Sequence, residues 1–351
     1  MSLLVEIRKD FGSFRLDVSF QAEAGALTGV LGASGCGKSL TLKCVAGIEK
    51  PDQGHIELDG RVLFDSARRI DLPPQKRRVG YLFQHYALFP HMTVEQNVAV
   101  GVRDQRQRKE TAARLLQALR LEDCRGKYPR QLSGGQQQRA ALARILASEP
   151  EVLLLDEPFS ALDSYLKWQV ELELAQTLER FSGPVLFVTH DRDEVRRLCR
   201  QVCVLDQGRS QPLQPVETLF RAPRTLSACL LSGCRNVSRA RPAGEGRVEA
   251  LDWGITLAVD APLPEGLSHV GIQAGSLRLA EGPGPNRLLC PVERAVEETA
   301  STVLLLRTPG GPRPEALLRL ELDRVAWTAL GQPAQLWVEL PPQHLLPLTR
   351  N

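Results

Sequence analysis

The sequence predicts an α/β domain built on a largely parallel sheet, followed by a smaller all-β domain. Three observations carry that reading. The stretch Gly32-Ala33-Ser34-Gly35-Cys36-Gly37-Lys38-Ser39 has the spacing of a phosphate-cradling loop: Gly, four free positions, then Gly-Lys-Ser. Short apolar runs, such as Val152-Leu153-Leu154-Leu155 before Asp156 and Val185-Leu186-Phe187-Val188 before Thr189-His190, read as strands buried on both faces and ending in polar groups. From about Gly233 the long helical patterns stop, Gly, Pro and Arg rise, and short strand-like segments such as Val270–Ala274 and Gln335–Leu340 take over.

Bulk properties bound the function. The chain has 351 residues, 43% hydrophobic and 24% charged, enough for two or three domains with a sizeable core. A formal net charge of +3 is too small to argue for a nucleic-acid partner. The basic clusters at 103–109 and 192–200 read as solvated helix faces. Eight cysteines are scattered without CxxC spacing, which suits small thiols in a reducing compartment; Cys199 and Cys203, four apart, could share a helix face. Charges at Glu6, Arg8, Lys9 and Asp10 rule against a leader peptide, and no apolar run approaches a bilayer span. The expectation is a soluble cytoplasmic chain whose membrane role, if any, comes through a partner.

In chain order, residues 1–31 read as antiparallel strands, with alternation at Leu3–Ile7 and Phe14–Phe20. Phe11 or Phe14 could stack on an adenine ring, and either could equally be core. The run Gly25–Leu31 before the loop is strand-like, and Leu40–Ala46 after it continues as a helix. That context lets backbone N–H groups and a helix N-terminus meet phosphate oxygens. Lys38 supplies a charge to the β- and γ-phosphates, and the Ser39 hydroxyl can ligate Mg²⁺. Asp59-Gly60 predicts a hairpin turn. Val79–Gln84 reads as a buried strand whose last residue, Gln84, lies where open α/β sheets place ligands. His85–Val94, aromatic and broken by Pro90, suits an exposed docking surface better than a core.

An amphipathic helix is expected over about 106–121, with Ala113, Leu116 and Leu119 on its apolar side. Ser133-Gly134-Gly135-Gln136 opens the next helix and offers free N–H groups, a hydroxyl and a dipole end, an anion site as well as a cap. Asp156 can hold Mg²⁺ through water, and Glu157 can accept a proton from, or orient, an attacking water. Ser160-Ala161-Leu162-Asp163 begins a further helix. His190, closing a core strand, could hydrogen-bond the γ-phosphate or the water.

The phosphate loop, Gln84, Leu132–Gln136, Asp156-Glu157, the Ser160–Asp163 turn and His190 come in the order and spacing of ABC-type ATPases, which the first two-thirds of the chain resembles. The resemblance implies an α/β P-loop NTPase of ABC type, with an antiparallel β subdomain and a helical subdomain, over residues 1–232. It implies ATP and Mg²⁺ as cofactors. It also implies a head-to-tail homodimer, each ATP lying between the phosphate loop of one subunit and Ser133-Gly134-Gly135 of the other. By that likeness Glu157 is the catalytic base, His190 the γ-phosphate switch, and Gln84 the residue that meets Mg²⁺ and water and senses the membrane partner. Ser39, Gln84 and Asp156 form the metal set. Leu40 departs from the family, which commonly has a second hydroxyl there; Thr41 cannot replace it in the same register.

Gly60–Asp65 and Lys76–Gln84 look like the ATPase of bacterial molybdate importers, while sulfate, polyamine, iron and sugar importer ATPases share much of His85–Val94. Residues 233–351 resemble the C-terminal oligomer-binding-fold barrel of such ATPases, of the TOBE or molybdate-binding kind, with a regulatory or dimerising role. Arg287–Val296 falls where that barrel carries an oxyanion loop, and Pro285-Asn286-Arg287 is the closest remnant. Anion binding there and a purely structural barrel are both open readings. The implied setting is the cytoplasmic face of a membrane, beside two permease subunits and, through them, an external solute-binding protein, with no nucleic acid. A soluble ABC ATPase working on nucleic acid or ribosomes is the alternative of a different class; it usually carries tandem halves or a coiled-coil insertion.

Overall fold

A computed structural model describes residues 1–160, 164–299, 301–312 and 316–350, with 164–166 described as backbone alone. The chain divides into two compact units, Met1–Val216 and Glu217–Asn351. Composition changes only at Gly233, and the short helix Leu226–Leu231 lies between those two points; its Cys229 packs with Cys234, Leu346 and Leu348 of the second unit.

In the first unit, strands Ser2–Asp10 and Arg15–Glu23 pair antiparallel along their whole length. Their alternation buries Leu3, Val5, Ile7, Leu16, Val18 and Phe20 on one face. Each such buried apolar side chain contributes about 1.5–3 kcal/mol relative to exposure. Gln53–Leu58 adds to the first strand and turns through Asp59 (φ 50°) and Gly60 (φ 80°) into Arg61–Asp65. Both turn residues are left-handed, as Asp-Gly hairpins require.

Leu27–Leu31 does not join these antiparallel strands. It lies parallel between Gln201–Asp206 and Val185–Thr189. Next come Val152–Asp156 and Val79–Leu82, also parallel. An apolar run without alternation needs cover on both faces, which the parallel layer provides. Arg209–Ser210 pairs with both sets and joins them into one sheet.

Helix Lys38–Ala46 follows the phosphate loop and stops at Gly47, whose φ of 77° closes it. Its last carbonyls, on Cys44 and Val45, accept from the fully buried Arg77 guanidinium at 2.8 and 3.0 Å, and Arg77 also bonds Leu72 O and Asp71. Helices Val94–Gly101, Arg108–Ala118 and Gly134–Leu146 pack together. The second of these is shorter than expected; Leu116 and Leu119 are buried on its expected face, but Ala112 is buried there in place of the exposed Ala113. All eight cysteines are buried free thiols. Cys199 ends helix Arg192–Leu198 and Cys203 lies in strand Gln201–Asp206, so they share no helix face. No described helix is long and apolar enough to cross a membrane.

Apart from short helices such as Leu226–Leu231 and Arg324–Ala329, the second unit is β and OB-like, with two five-stranded antiparallel sheets around Trp253, Ile272, Leu304, Leu320 and Val338. The expected strands near 270 and 335 are Leu267–Ile272 and Gln335–Glu339. Residues 287–296, which fall where the resembled barrel carries an oxyanion loop, belong here to strand Arg287–Glu297.

Candidate nucleotide-binding site

The phosphate loop leaves strand Leu27–Leu31 and enters helix Lys38–Ala46 through Gly37, which caps the helix at φ 105°. A Cβ at Gly37 would also stand 2.7 Å from Leu16 Cδ1 and 3.1 Å from Phe14 Cζ, so both the backbone angle and the space demand glycine. Gly32 is constrained by proximity: a Cβ there would lie 2.3 Å from the Leu205 carbonyl and 2.5 Å from Cys36 Sγ. Burial raises the Cys36 thiol above its ordinary range, and Lys38 only partly offsets this. Cys36 therefore packs as a small apolar group.

Lys38 is buried, and its ammonium donates to the carbonyls of Gly32 (2.8 Å) and Ala33 (3.0 Å) within the loop. Its nearest carboxylate is Glu157, at 3.9 Å. Ser39 Oγ donates to Asp156 Oδ1 at 2.8 Å. The other Asp156 oxygen accepts from the Tyr81 hydroxyl at 2.8 Å. Tyr81 was not singled out from the sequence. It reaches Asp156 because Val79–Leu82 lies in register with Val152–Leu155. Burial, and secondarily the Asp156 charge, pushes the Tyr81 phenol far upward, so it stays a donor.

Glu157 follows the strand with φ 45°, a left-handed angle that a glutamate adopts only at local cost, held by its N–H on Val188 O at 2.9 Å. That turn aims the carboxylate at the neighbouring strand end, where His190 Nδ1 lies 3.2 Å from Glu157 Oε1. The strand stops at Thr189; His190 is the first residue beyond it and is 55% exposed, open to a ligand. Gln84 is likewise exposed, two residues past strand Val79–Leu82 at the same carboxyl edge. The structure thus makes two contacting sets, Ser39 with Asp156 and Lys38 with Glu157 and His190, joined through the adjacent pairs Lys38-Ser39 and Asp156-Glu157.

Ser133-Gly134-Gly135-Gln136 is not bonded to that group. Ser133 Oγ accepts the Gln136 N–H at 3.3 Å, and Gln136 Oε1 accepts the Ser133 N–H at 3.0 Å, a capping box on helix Gly134–Leu146. Ser133 is exposed. Of the two aromatics, Phe14 packs against the core beside Gly37, whereas Phe11 is 48% exposed with the Lys9 ammonium 5.1 Å from its ring centroid. In His85–Val94 the pattern is mixed. Tyr86 is buried and donates to Pro158 O at 3.0 Å, while His85, Phe89, Pro90 and His91 are exposed. Ser160 donates to Glu157 O at 3.0 Å; Ala161, Leu162 and Asp163 lie outside the described residues.

The donor set fits a hard cation beside a phosphate chain: a hydroxyl and a carboxylate already in contact, next to a buried ammonium whose partners are loop carbonyls. Fold and loop together define a P-loop nucleotide-binding protein. Comparisons with known proteins are consistent with this. The ABC transporter family model matches residues 16–160. The sulfate/thiosulfate import ATP-binding protein CysA of Burkholderia pseudomallei is 37% identical over 341 residues, covering 93% of this chain and 92% of that one. The molybdenum import ATP-binding protein ModC of Paramagnetospirillum magneticum is 42% identical over 221 residues, covering 62% of this chain and only 61% of the relative's length. Among solved structures, the dimeric bacterial ABC transporter cassette MJ0796 matches with TM-score 0.51 and 29% identity, over 62% of this chain and 99% of that one. The chain belongs to the ATP-binding proteins of the ABC transporter family.

Proposed function

We propose that this chain is the ATP-hydrolysing subunit of an ABC importer for molybdate or a related oxyanion. The observation that carries the proposal is the pairing of Ser39 with Asp156 beside the contacts of Lys38 and His190 with Glu157, at one edge of a parallel sheet. In this reading residues 32–39 wrap the phosphates of ATP with backbone N–H groups. Lys38 exchanges its loop carbonyls for phosphate oxygens. Ser39, Asp156 and Gln84 would hold Mg²⁺, which when bound neutralises charge on the phosphate chain. Glu157 accepts the proton of the attacking water, and His190, 3.2 Å from it, donates to the γ-phosphate. Phe11, left exposed while Phe14 is committed to the core, offers the adenine a stacking face.

The exposed Ser133 cap serves a second copy's nucleotide, so two chains close head to tail over two ATP molecules. MJ0796 was solved as a dimer, which supports that arrangement. The exposed part of His85–Val94 meets one of two permease subunits at the cytoplasmic membrane face, and a solute-binding protein acts from the other side. The oxyanion cargo rests on relatives named for molybdenum and for sulfate or thiosulfate import. Sulfate is the second reading, because that relative aligns along nearly the whole chain, tail included.

The tail itself supports a structural role. Asn286 spends its amide on Ala258 and Leu340, and Arg287 pairs with Glu339, so the remnant of an oxyanion loop is occupied by internal bonds. The test is uptake by vesicles containing this chain and its permease. ATP-dependent molybdate uptake is expected, with ATPase stimulation strongest for the molybdate-loaded binding protein. Equal uptake without ATP overturns the reading, and stronger stimulation by sulfate or by iron moves the cargo.

A further inference from the structure

Beside His190 lies a small cleft of about 160 Å³ lined by Glu157, Phe159, Ser160, Lys167, Thr189, His190 and Glu194. Its floor is a closed network of charge. Thr189 Oγ1 donates to Glu194 Oε2 at 2.5 Å and accepts the Asp191 N–H at 3.0 Å. Asp191 in turn caps helix Arg192–Leu198. Both chain neighbours of His190 are therefore pinned by one cluster, while the His190 ring stays exposed.

The cation that completes this cluster comes from another element. Lys167, on helix Ser164–Leu178, lies 2.5 Å from Asp191 Oδ2 and 2.6 Å from Glu194 Oε1. One turn along the same helix, Glu171, almost fully buried, takes a bidentate bond from Arg197 at 2.8 and 2.9 Å. Two ion pairs thus strap helix Ser164–Leu178 to helix Arg192–Leu198, and only the Lys167 pair touches the residues flanking His190. Burial of Glu194 favours its neutral form and raises it above the ordinary carboxylate range, against the pull of Lys167. Removing Lys167 would leave a buried carboxylate without its cation, which costs far more than losing an exposed pair.

We propose that Lys167 is a positioning residue for His190: it fixes the loop that holds the imidazole beside Glu157 and couples it to the helix that follows Ser160. The proposal rests on the roles given above to His190 and Glu157. Lys167 itself meets no nucleotide. Its loss should therefore slow turnover without weakening ATP binding, since a misplaced group near the reacting atoms costs rate.

The experiment is steady-state ATP hydrolysis by the 351-residue chain. Lys167→Met is expected to lower kcat about tenfold or more with KM for ATP within twofold, and Lys167→Arg, which can span the same two carboxylates, to recover most of the rate. Thr189→Val, which keeps the shape and removes the hydroxyl, should reproduce the loss should the lysine variant fold poorly. Glu171→Gln is the control, loosening the neighbouring strap while leaving kcat within twofold. Wild-type kcat in folded Lys167→Met or in Thr189→Val, no recovery with arginine, or an equal kcat loss in Glu171→Gln overturns the proposal. If His190→Ala and Glu157→Gln also hydrolyse ATP normally, the assigned chemistry has failed; if they alone are inactive, only the role of Lys167 has.

Discussion

The two units treat their buried polar groups differently. In the second unit several of these groups are spent inward, although the buried Thr302 hydroxyl has no partner. Asn236 bonds both the carbonyl and the N–H of Arg319. Asn286 bridges Ala258 and Leu340, and Asp252 takes three donors from Arg239. In the first unit, by contrast, Lys38, Asp156 and Glu157 collect at the carboxyl edge of the parallel strands, where the loop carbonyls hold the lysine by bonds that an anion could exchange. Satisfied networks rigidify a fold, whereas partly exchangeable ones at a sheet edge make a site. The contrast supports the proposal that chemistry belongs to the first unit and a structural role to the second.

Four substitutions test that contrast, from the largest expected effect to the smallest. Glu157→Gln should lower ATP turnover by about 100-fold or more while ATP stays trapped and the dimer persists. Phosphate release and size-exclusion chromatography with ATP read both effects, and unchanged turnover would remove Glu157 from the chemistry. Asn286→Ala should destabilise the second unit by about 2 kcal/mol, since part-buried backbone groups of Ala258 and Leu340 lose their partner, with kcat per folded molecule unchanged. Denaturant titration alongside ATPase assays checks this, and a lost kcat would break the division between units. Tyr81→Phe removes one hydrogen bond to Asp156, worth about 1–2 kcal/mol, and should lower kcat less than tenfold. Leu40→Ser restores the hydroxyl common in the family, yet Leu40 packs against the core. The expected change in KM for ATP is under threefold, with stability falling by about 1 kcal/mol.

Much of this was legible in the sequence because the signals are local. The phosphate loop, the Asp59-Gly60 turn and the strand end Asp156-Glu157 declare themselves through spacing and backbone requirement. What was missed depends on register between distant segments. Tyr81 meets Asp156 only because two strands align, and Arg77 caps the helix after the loop from more than thirty residues away. Lys167 reaches Asp191 across two helices. Leu116 and Leu119 are buried as the periodicity predicts, whereas Ala113 is exposed and Ala112 takes its place, a one-residue shift within the same turn. Leu27–Leu31 was grouped with its antiparallel neighbours because pairing direction leaves no mark on a short apolar run.

The burial of all eight thiols has a practical reach. Burial shields these thiols from alkylating probes and, at Cys44 and Cys203, also holds the thiol up at about 12, whereas the bond from Cys229 lowers Cys234. A single cysteine introduced on an exposed turn would then be the fast-labelling position on an otherwise unaltered background. Fluorophores or spin labels could follow subunit closure without first stripping the native sulfur, and a sudden burst of extra labelling would report the moment the chain unfolds.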